Sequence, residues 1–337
     1  MILSKSNPPI LSLVIPCYNE EEVLPETITR LNPILADLIN KQLISSHSTI
    51  LLVDDGSKDR TWEIIESMNK QYATVRGLKL AKNAGHQNAL LAGLMHAKND
   101  SDCVISVDAD LQDDLNAIEE FIIKFHQGYE VVYGVRQSRT SDTFFKRSTA
   151  QGFYKLMHSM GVNVIYNHAD YRLMSKRVLE NLANFKEVNL FLRGLIPLIG
   201  FKSTEVYFDR SERFAGESKY PLKKMLSFAF DGITSFSVRP IRLISLLGSC
   251  MFLFSLLIAV YVLISKFFGF VIVGWSSIMI SIWFIGGAQL LALGLIGEYI
   301  GKIYQEVKQR PKYTIETTLE SKTRFVQNEG MNSVAKL

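Results

Sequence analysis

The chain has 337 residues, enough for one large domain or two medium domains, and 47% of them are hydrophobic. Its formal net charge of +4 is modest, so we do not expect a nucleic acid as its partner. The three cysteines, Cys17, Cys103 and Cys250, lie in apolar surroundings without metal-ligand spacing, and we expect reduced thiols that contribute to packing.

Five short apolar runs alternate with helical segments in the first part of the chain. The runs predicted as strands are 11–15, 49–53, 75–80, 103–107 and 130–135. We expect Pro16 to end the first strand, and we expect helices to follow near Glu20, from about Thr61, up to about Ala97 and over 121–127. This alternation predicts an α/β domain with a mostly parallel sheet. There is no Gly-x-Gly-x-x-Gly after the first strand and no Gly-Lys-Ser/Thr loop, which argues against dinucleotide-binding and P-loop proteins.

The fourth predicted strand ends at Asp108-Ala109-Asp110, and Gln112 follows. Residues two apart on a strand share a face, so both carboxylates can reach one site at the carboxyl end of the strand, where open α/β sheets bind ligands. Two carboxylates and an amide form a partial oxygen shell that suits Mg²⁺ or Mn²⁺ and leaves room for substrate phosphates. The alternative is a solvated acidic turn, because an isolated Asp-x-Asp is short and common.

Two late segments, 243–264 and 267–297, contain no charged residue. Each is long enough for a helix across a roughly 30 Å hydrocarbon core, which needs about 20 residues, so we predict a transmembrane hairpin. The alternative is two buried helices of a soluble core. Only Lys266 is basic between the spans, and the basic residues that flank the pair place both termini in the cytoplasm. The flanking residues are Arg239, Arg242, Lys302, Lys308, Arg310 and Lys312. We expect no cleavable signal at the start of the chain.

Apolar residues also recur at helical spacing between 220 and 236, with Lys223 and Lys224 off the stripe. This pattern predicts an amphipathic helix that lies in the membrane interface or packs its stripe on the catalytic domain.

Several motifs resemble those of a known enzyme family. The first three follow the order and approximate spacing of inverting glycosyltransferases of family 2, which have the Rossmann-like GT-A fold: Ile15-Pro-Cys-Tyr-Asn-Glu-Glu21, Val53-Asp-Asp-Gly-Ser-Lys-Asp-Arg-Thr61 and Val107-Asp-Ala-Asp-Leu-Gln-Asp113. Later motifs, followed by two spans, resemble polyprenyl-phosphate glycosyltransferases, which include bactoprenol glucosyltransferases and relatives of dolichyl-phosphate mannose synthase: Asp170-Tyr-Arg-Leu173, Arg213-Phe-Ala-Gly-Glu-Ser-Lys-Tyr220 and Asp231-Gly-Ile-Thr-Ser-Phe236.

The resemblance covers residues 10 to 310 approximately and implies four parts. These are a GT-A catalytic domain (1–210), an acceptor loop with an interface helix (211–240), two transmembrane helices (241–300) and a cytoplasmic tail (301–337).

The resemblance also implies roles for residues near the nucleotide. Asp108, Asp110 and Gln112 match the metal-binding segment, with Asp110 catalytic and Mg²⁺ or Mn²⁺ as the cofactor. Tyr18 matches a position that stacks on the nucleobase, and Asp55 one that accepts a hydrogen bond from it. The nucleotide pocket also includes Pro16, Glu20, Asp108 and Ala109. Each of these residues alone also fits the turn chemistry of a strand end.

Other implied roles concern the acceptor. Asp170 matches a position near the reacting centre, where it orients sugar or acceptor, and His86 touches the donor or caps its helix. A lipid monophosphate is already anionic, so it needs cations to position it more than a strong base. The candidates are Arg136, to which we also give a catalytic role, Arg139, Arg147, Arg210, Arg213 and Lys219. Any one of them could be an ordinary surface charge.

The implied activity is inverting transfer of a sugar from a nucleotide sugar to undecaprenyl or another polyprenyl phosphate, at the cytoplasmic face of the cell membrane. We expect UDP-glucose as the donor, with UDP-N-acetylglucosamine and GDP-mannose as alternatives, and a homo-oligomer is open. A processive polysaccharide synthase is disfavoured, since the chain has no Gln-x-x-Arg-Trp motif and only two predicted spans. A catalytically silent, membrane-anchored nucleotide-sugar-binding protein is the alternative of another class, against which the intact acidic motif argues.

Overall fold

The computed structural model describes residues 7–110, 112–136, 168–187, 192–209, 239–268 and 274–321. They fall into two units. The first contains the described residues up to 209 together with 311–321, and the second contains those between 239 and 310. Residues 311–321, which we expected in a C-terminal tail, therefore belong to the first unit.

The described part of the first unit is built on one eight-stranded sheet. Its strands are β1 (Leu11–Cys17), β2 (Thr49–Asp54), β3 (Val75–Leu80), β4 (Cys103–Ser106), β5 (Val131–Arg136), β6 (His168–Ser175), β7 (Ser203–Phe208) and β8 (Ile315–Leu319). The spatial order is β7-β5-β6-β4-β1-β2-β3-β8. Strands β4, β1, β2 and β3 run parallel, as do β5 and β7, whereas β6 and β8 are antiparallel to their neighbours. The prediction of a mostly parallel α/β sheet is confirmed.

Six described helices accompany this sheet, and their apolar spacing shows how they pack. They are α1 (Leu24–Asn40), α2 (Thr61–Gln71), α3 (His86–Ala97), α4 (Ala117–His126), α5 (Lys176–Leu182) and α6 (Leu192–Ile199). Helix α1 buries a stripe at intervals of three and four residues, from Leu24 to Leu38, which is the spacing of one helical face. Helix α3 packs tightly on β1 and β2, because a Cβ at Gly93 would lie 2.5 Å from a Val14 side-chain atom.

Strand β1 is longer than predicted, because it continues through Pro16 to Cys17 instead of ending before the proline. Backbone groups of alternate residues face the same neighbouring strand, so Pro16 faces the same side as Val14. That neighbour is β4, and its pairing with β1 ends at Val14 and Ser106. The proline therefore lacks its N–H where no partner strand needs it.

Three strands of the sheet, β6, β7 and β8, were not predicted. Strand β8 covers the edge of β3, and its register pairs Gly77 with Leu319. Buried Arg76 on β3 strengthens this edge, because its guanidinium lies 2.5 Å from a carboxylate oxygen of Glu320 and 3.3 Å from one of Asp100.

The second unit contains two long helices, α7 (Arg239–Phe267) and α8 (Trp275–Lys308). Among the described residues, one segment, Phe284–Lys308, is long and apolar enough to cross a membrane. The two-span hairpin is therefore not confirmed, although α7 and α8 cover most of both predicted spans. The predicted amphipathic helix over 220–236 lies outside the described residues.

Candidate active site

The loops that follow β1 and β2 are joined by their own polar groups. The backbone N–H of Asn19 donates to Ser57 Oγ at 3.0 Å, and Asn19 Oδ1 accepts from the backbone N–H of Lys58 at 2.9 Å. Asn19 has a φ of 54°, a left-handed conformation that asparagine tolerates better than most residues. The N–H of Glu20 donates to Thr61 Oγ1 at 2.9 Å. These contacts fix the first loop against the start of α2.

Asp55 joins the second loop to the third. Its two carboxylate oxygens accept from the backbone N–H groups of Ala84 and Gly85 at 2.7 and 3.0 Å. Burial raises the pKa of Asp55, while these two hydrogen bonds act in the opposite direction. Gly56 has a φ of 66°, and a Cβ there would lie 2.6 Å from the backbone nitrogen of Asn83. Glycine is therefore required for the two loops to approach this closely.

The other residues predicted around the nucleotide differ in exposure. Tyr18 directly follows β1 and is 41% exposed, so its ring is accessible for the predicted stacking, and Glu20 is half-buried. Pro16 and Ala109 are buried, and the carbonyl oxygen of Ala109 accepts from Thr27 Oγ1 on α1 at 3.0 Å. The predicted nucleotide pocket is therefore lined by buried residues at the strand ends, Pro16 and Ala109, and by the more exposed side chains of Tyr18 and Glu20.

The acidic loop after β4 brings several carboxylates together. Burial raises the pKa of Asp108, and the carboxylates of Asp170 and Asp110 add to that shift, while His86 and Arg136 oppose it. Gln112 donates its backbone N–H to Asp110 Oδ1 at 3.2 Å, so the loop folds back on the carboxylate. Asp113 is buried, and its Oδ2 has no hydrogen-bond partner within the described part of the chain.

Arg136, at the end of β5, lies beside this loop. Its Nη2 donates to Asp113 Oδ1 at 3.3 Å. Burial raises the pKa of Asp113 to about 6, the charge of Asp108 adds to this shift, and Arg136 opposes it. Arg136 therefore neutralises only part of the acidic loop.

These features fit a divalent cation that is shared with a substrate. The repulsion among the carboxylates of Asp108, Asp110 and Asp170 is what a cation bound beside them would relieve. Within the described ranges, no group of three His, Cys, Asp or Glu side chains is arranged to hold a metal ion by itself. Asp108, Asp110 and Gln112 suit an ion that takes its remaining ligands from substrate phosphates.

A second charged cluster surrounds Asp170 on β6. The carboxylate accepts from Arg193 Nε and Nη2, each at 3.1 Å, and from Gln87 Nε2 at 3.3 Å. Arg172, which is fully buried, donates to the same carboxylate. Burial alone would raise the pKa of Asp170, but the surrounding positive charges, Arg193 foremost, hold it well below its usual range.

His86 stands between the two clusters. Its Nε2 lies 3.9 Å from Asp108 Oδ1 and 3.8 Å from Asp170 Oδ2. Burial lowers the pKa of His86, but the two carboxylates outweigh burial and raise it above its usual value. The residue begins α3 without capping it by its side chain, so the capping alternative does not hold.

The structure thus brings Asp108, Asp110, Gln112 and Arg136 to the carboxyl ends of β4 and β5, and it brings Asp170 to the same edge of the sheet, because antiparallel β6 begins there. The remaining predicted acceptor residues lie outside the described residues: Arg139, Arg147, Arg210, Arg213 and Lys219.

Comparison with known proteins identifies the family. The family model described as Glycosyl transferase family 2 matches residues 12–183, which include every strand-end motif discussed above. The chain belongs to glycosyltransferase family 2.

Relatives of this glycosyltransferase match nearly its full length. It is 59% identical over 315 residues to the uncharacterized glycosyltransferase YkoT of Bacillus subtilis, which covers 94% of each chain. It is 39% identical over 307 residues to the bactoprenol glucosyl transferase of Shigella phage SfII, which covers 90% of this chain and 97% of the relative. Mannosyl-3-phosphoglycerate synthase from Rubrobacter xylanophilus is a solved structure with 15% identity and a TM-score of 0.46, over 69% of this chain and 74% of that one.

Two arginines of the site in this family 2 enzyme were not predicted from the sequence. Arg172 had a usable signal, because it lies two residues from Asp170 on one strand and so shares its face. Arg193 lies 23 residues further along the chain than Asp170, and no local pattern connects the two. Only the tertiary position of α6, which contacts α5 and is hydrogen-bonded to Gln87 at the start of α3, brings them together.

Proposed function

We propose that this glycosyltransferase moves glucose from UDP-glucose to undecaprenyl phosphate or a similar polyprenyl phosphate, with inversion, at the cytoplasmic face of the cell membrane. The observation that carries the proposal is the match, at 39% identity over 90% of the chain, to a relative named bactoprenol glucosyl transferase. The charges of the site support it, because an acidic loop for a metal-bound diphosphate lies beside cationic side chains for further phosphate groups.

The donor half of the reaction belongs to the ends of β1, β2 and β4. Tyr18 stacks on the nucleobase, and Asp55 lies against the same base while it holds the wall formed by Ala84 and Gly85. Asp108 and Asp110, with Gln112, hold Mg²⁺ or Mn²⁺, which when bound supplies positive charge to the leaving diphosphate. Arg136 adds a fixed positive charge on the same side of the site.

The acceptor half needs no strong base, because a lipid monophosphate is already ionised at neutral pH. We expect Arg213 and Lys219 to bind this phosphate, with Arg139, Arg147 and Arg210 as further candidates. Arg213 and Lys219 precede the long apolar helices in the sequence, so we expect them near the membrane surface, where a lipid headgroup enters. Helices α7 and α8 form the two-span hairpin in this proposal, with the interface helix over 220–236 lying at the membrane surface.

The test is a donor screen with the purified full-length chain and undecaprenyl phosphate. UDP-glucose, UDP-N-acetylglucosamine and GDP-mannose are offered separately with Mg²⁺ or Mn²⁺, and the lipid product is identified by mass. A hexosyl product from UDP-glucose is expected. A product from another donor alone overturns the glucose assignment. Nucleotide-sugar binding without any lipid product indicates the catalytically silent binding protein instead.

A further inference from the structure

The carboxylate of Asp170 is surrounded by hydrogen-bond donors. Arg193 contacts both of its oxygens, and Arg172 and Gln87 each contact one. The side chain of Asp170 is only 8% exposed. A carboxylate held this way is a poor proton acceptor, because every donor that it holds stabilises its ionised form. Asp170 therefore holds the neighbouring donor side chains in place and does not act as a base.

We propose that Arg193 binds a phosphate group of the reacting substrates and that Asp170 is the residue that positions it. The inference rests on the proposed function for the identity of the substrates, and it adds a phosphate-binding residue that the sequence motifs did not reveal. A guanidinium suits this task because its planar fork can hold a carboxylate on one edge and an anionic ligand on another.

The first argument is the fixed geometry of Arg193. Two parallel hydrogen bonds of 3.1 Å to one carboxylate set the plane of its guanidinium. Gln87 holds the backbone beside it, because Gln87 Oε1 accepts from the N–H of Leu192 at 3.3 Å while its Nε2 donates to Asp170. Helix α6 is thus tied to the start of α3, and Arg193 binds a ligand without first being ordered.

The second argument is the balance of charge. Arg172 is fully buried beside Asp170, and one guanidinium is enough to neutralise one carboxylate. Arg193 adds a second positive charge to the same carboxylate, and its side chain is 36% exposed. A partly exposed guanidinium at the edge of a buried ion pair suits an anionic ligand.

The third argument is location. Asp170 and Asp108 approach the same nitrogen of His86, at 3.8 and 3.9 Å. Arg193 therefore belongs to the same site as the acidic loop that we assign to the donor diphosphate. In the proposed reaction the donor diphosphate and the acceptor monophosphate meet at this site, and both offer the phosphate oxygens that a guanidinium binds.

The experiment compares Arg193→Gln, Asp170→Asn and the double variant in the full-length chain. The melting temperature, the dissociation constant for UDP and the KM for undecaprenyl phosphate are measured for each. Arg177→Gln is the matched control, because Arg177 also pairs with a carboxylate, Glu130 at 2.9 Å, but lies 67% exposed outside the site. We expect Arg193→Gln to weaken one of the two phosphate-dependent affinities by about 10- to 100-fold.

The melting temperatures separate phosphate binding from simple neutralisation of Asp170. Arg193→Gln leaves the pair between Asp170 and buried Arg172 in place, so it should lower the phosphate affinity with little loss of melting temperature, whereas Asp170→Asn and the double variant leave Arg172 without its carboxylate and should lower the melting temperature more. A loss of melting temperature in Arg193→Gln as large as that in Asp170→Asn overturns the proposal, as do affinities for both substrates within threefold of the wild type in Arg193→Gln. Arg177→Gln should change neither affinity.

The two substrates distinguish the source of the phosphate. Weaker UDP binding assigns Arg193 to the donor diphosphate, and a raised KM for undecaprenyl phosphate with unchanged UDP binding assigns it to the acceptor. If the wild type binds UDP but makes no lipid product, weaker UDP binding in Arg193→Gln still supports this inference while the proposed reaction fails. If the wild type makes the product and Arg193→Gln changes neither affinity, this inference alone fails.

Discussion

Carboxylates in the loop after β4 lie close together in the chain but have different surroundings. Asp110 accepts from the backbone N–H of Gln112, and Asp113 is buried against Arg136. The Oδ1 of Asp114 accepts from both the backbone N–H and the side-chain amide of Asn116. Asp114 thus forms hydrogen bonds within the loop through its carboxylate. Asp110, in contrast, belongs to the residues that we assign to the metal.

We predict that Asp110→Asn lowers the transfer rate by at least about 100-fold, since loss of a charged metal ligand removes several kcal/mol of transition-state stabilisation. Asp114→Asn is the control from the same loop and should stay close to the wild type. Initial rates are measured over a titration of Mg²⁺ and of Mn²⁺. A rate for Asp110→Asn within threefold of the wild type at saturating metal contradicts the metal assignment.

Strand β8 joins the segment that follows α8 to the edge of the sheet. It follows α8 in sequence, yet it pairs with β3 and hydrogen-bonds to neighbouring segments. The backbone N–H of Ala81 donates to the carbonyl of Thr314 at 2.9 Å, three residues before Ala84 contacts Asp55. The strand covers an edge that would otherwise expose unpaired backbone groups.

We predict that Glu320→Gln destabilises the first unit more than Glu316→Gln does. Glu320 pairs with Arg76, which is 2% exposed, so the variant weakens the pairing of a buried charge and should cost about 1–3 kcal/mol. Glu316 pairs with Lys79, and both side chains are partly exposed, so its loss should cost about 0–1 kcal/mol. Thermal unfolding of both purified variants is the measurement. Equal melting temperatures would show that the buried pair does not hold β8.

In the whole molecule, exposed apolar surface is concentrated on the described helices of the second unit. Segment Phe284–Lys308 is long and apolar enough to cross a membrane, and α7 presents exposed apolar side chains, such as Phe254 and Leu257, along its length. Exposed apolar surface on this scale is unusual for a protein surrounded by water. Both observations favour the proposed hairpin, and topology can be measured directly.

We predict that single cysteines at positions 270 and 309 are labelled from opposite sides of the membrane in sealed cells, with position 309 protected from an external reagent. Cys250 is exposed and is replaced by serine first. Cys17 and Cys103 can remain, because burial raises the pKa of both thiols and keeps them unreactive. Labelling of both positions from the same side would contradict the hairpin.

Local sequence was sufficient for the first five strands and for the acidic loop. A run of apolar residues that ends in Asp and Gly is a local signal, and parallel strands bring their carboxyl ends to one edge whatever the details of packing. The order of the residues alone therefore places Asp108, Asp110 and Gln112 just after one strand, at one edge of the sheet. The family motifs, which depend on the same short segments, were recognisable for the same reason.

Only the tertiary structure decided three features: strands β6 and β8, the continuation of β1 through Pro16, and the pairing of Arg193 with Asp170. Strand β8 is mostly polar and exposed, and whether such a segment becomes a strand depends on the partner it meets, here β3, more than 230 residues earlier in the chain. Pro16 is tolerated because the pairing of β1 with β4 ends at Val14, before the chain reaches the proline. Arg193 reaches Asp170 because the tertiary structure brings α6 next to β6. A contact between such distant segments leaves no periodic pattern in the sequence.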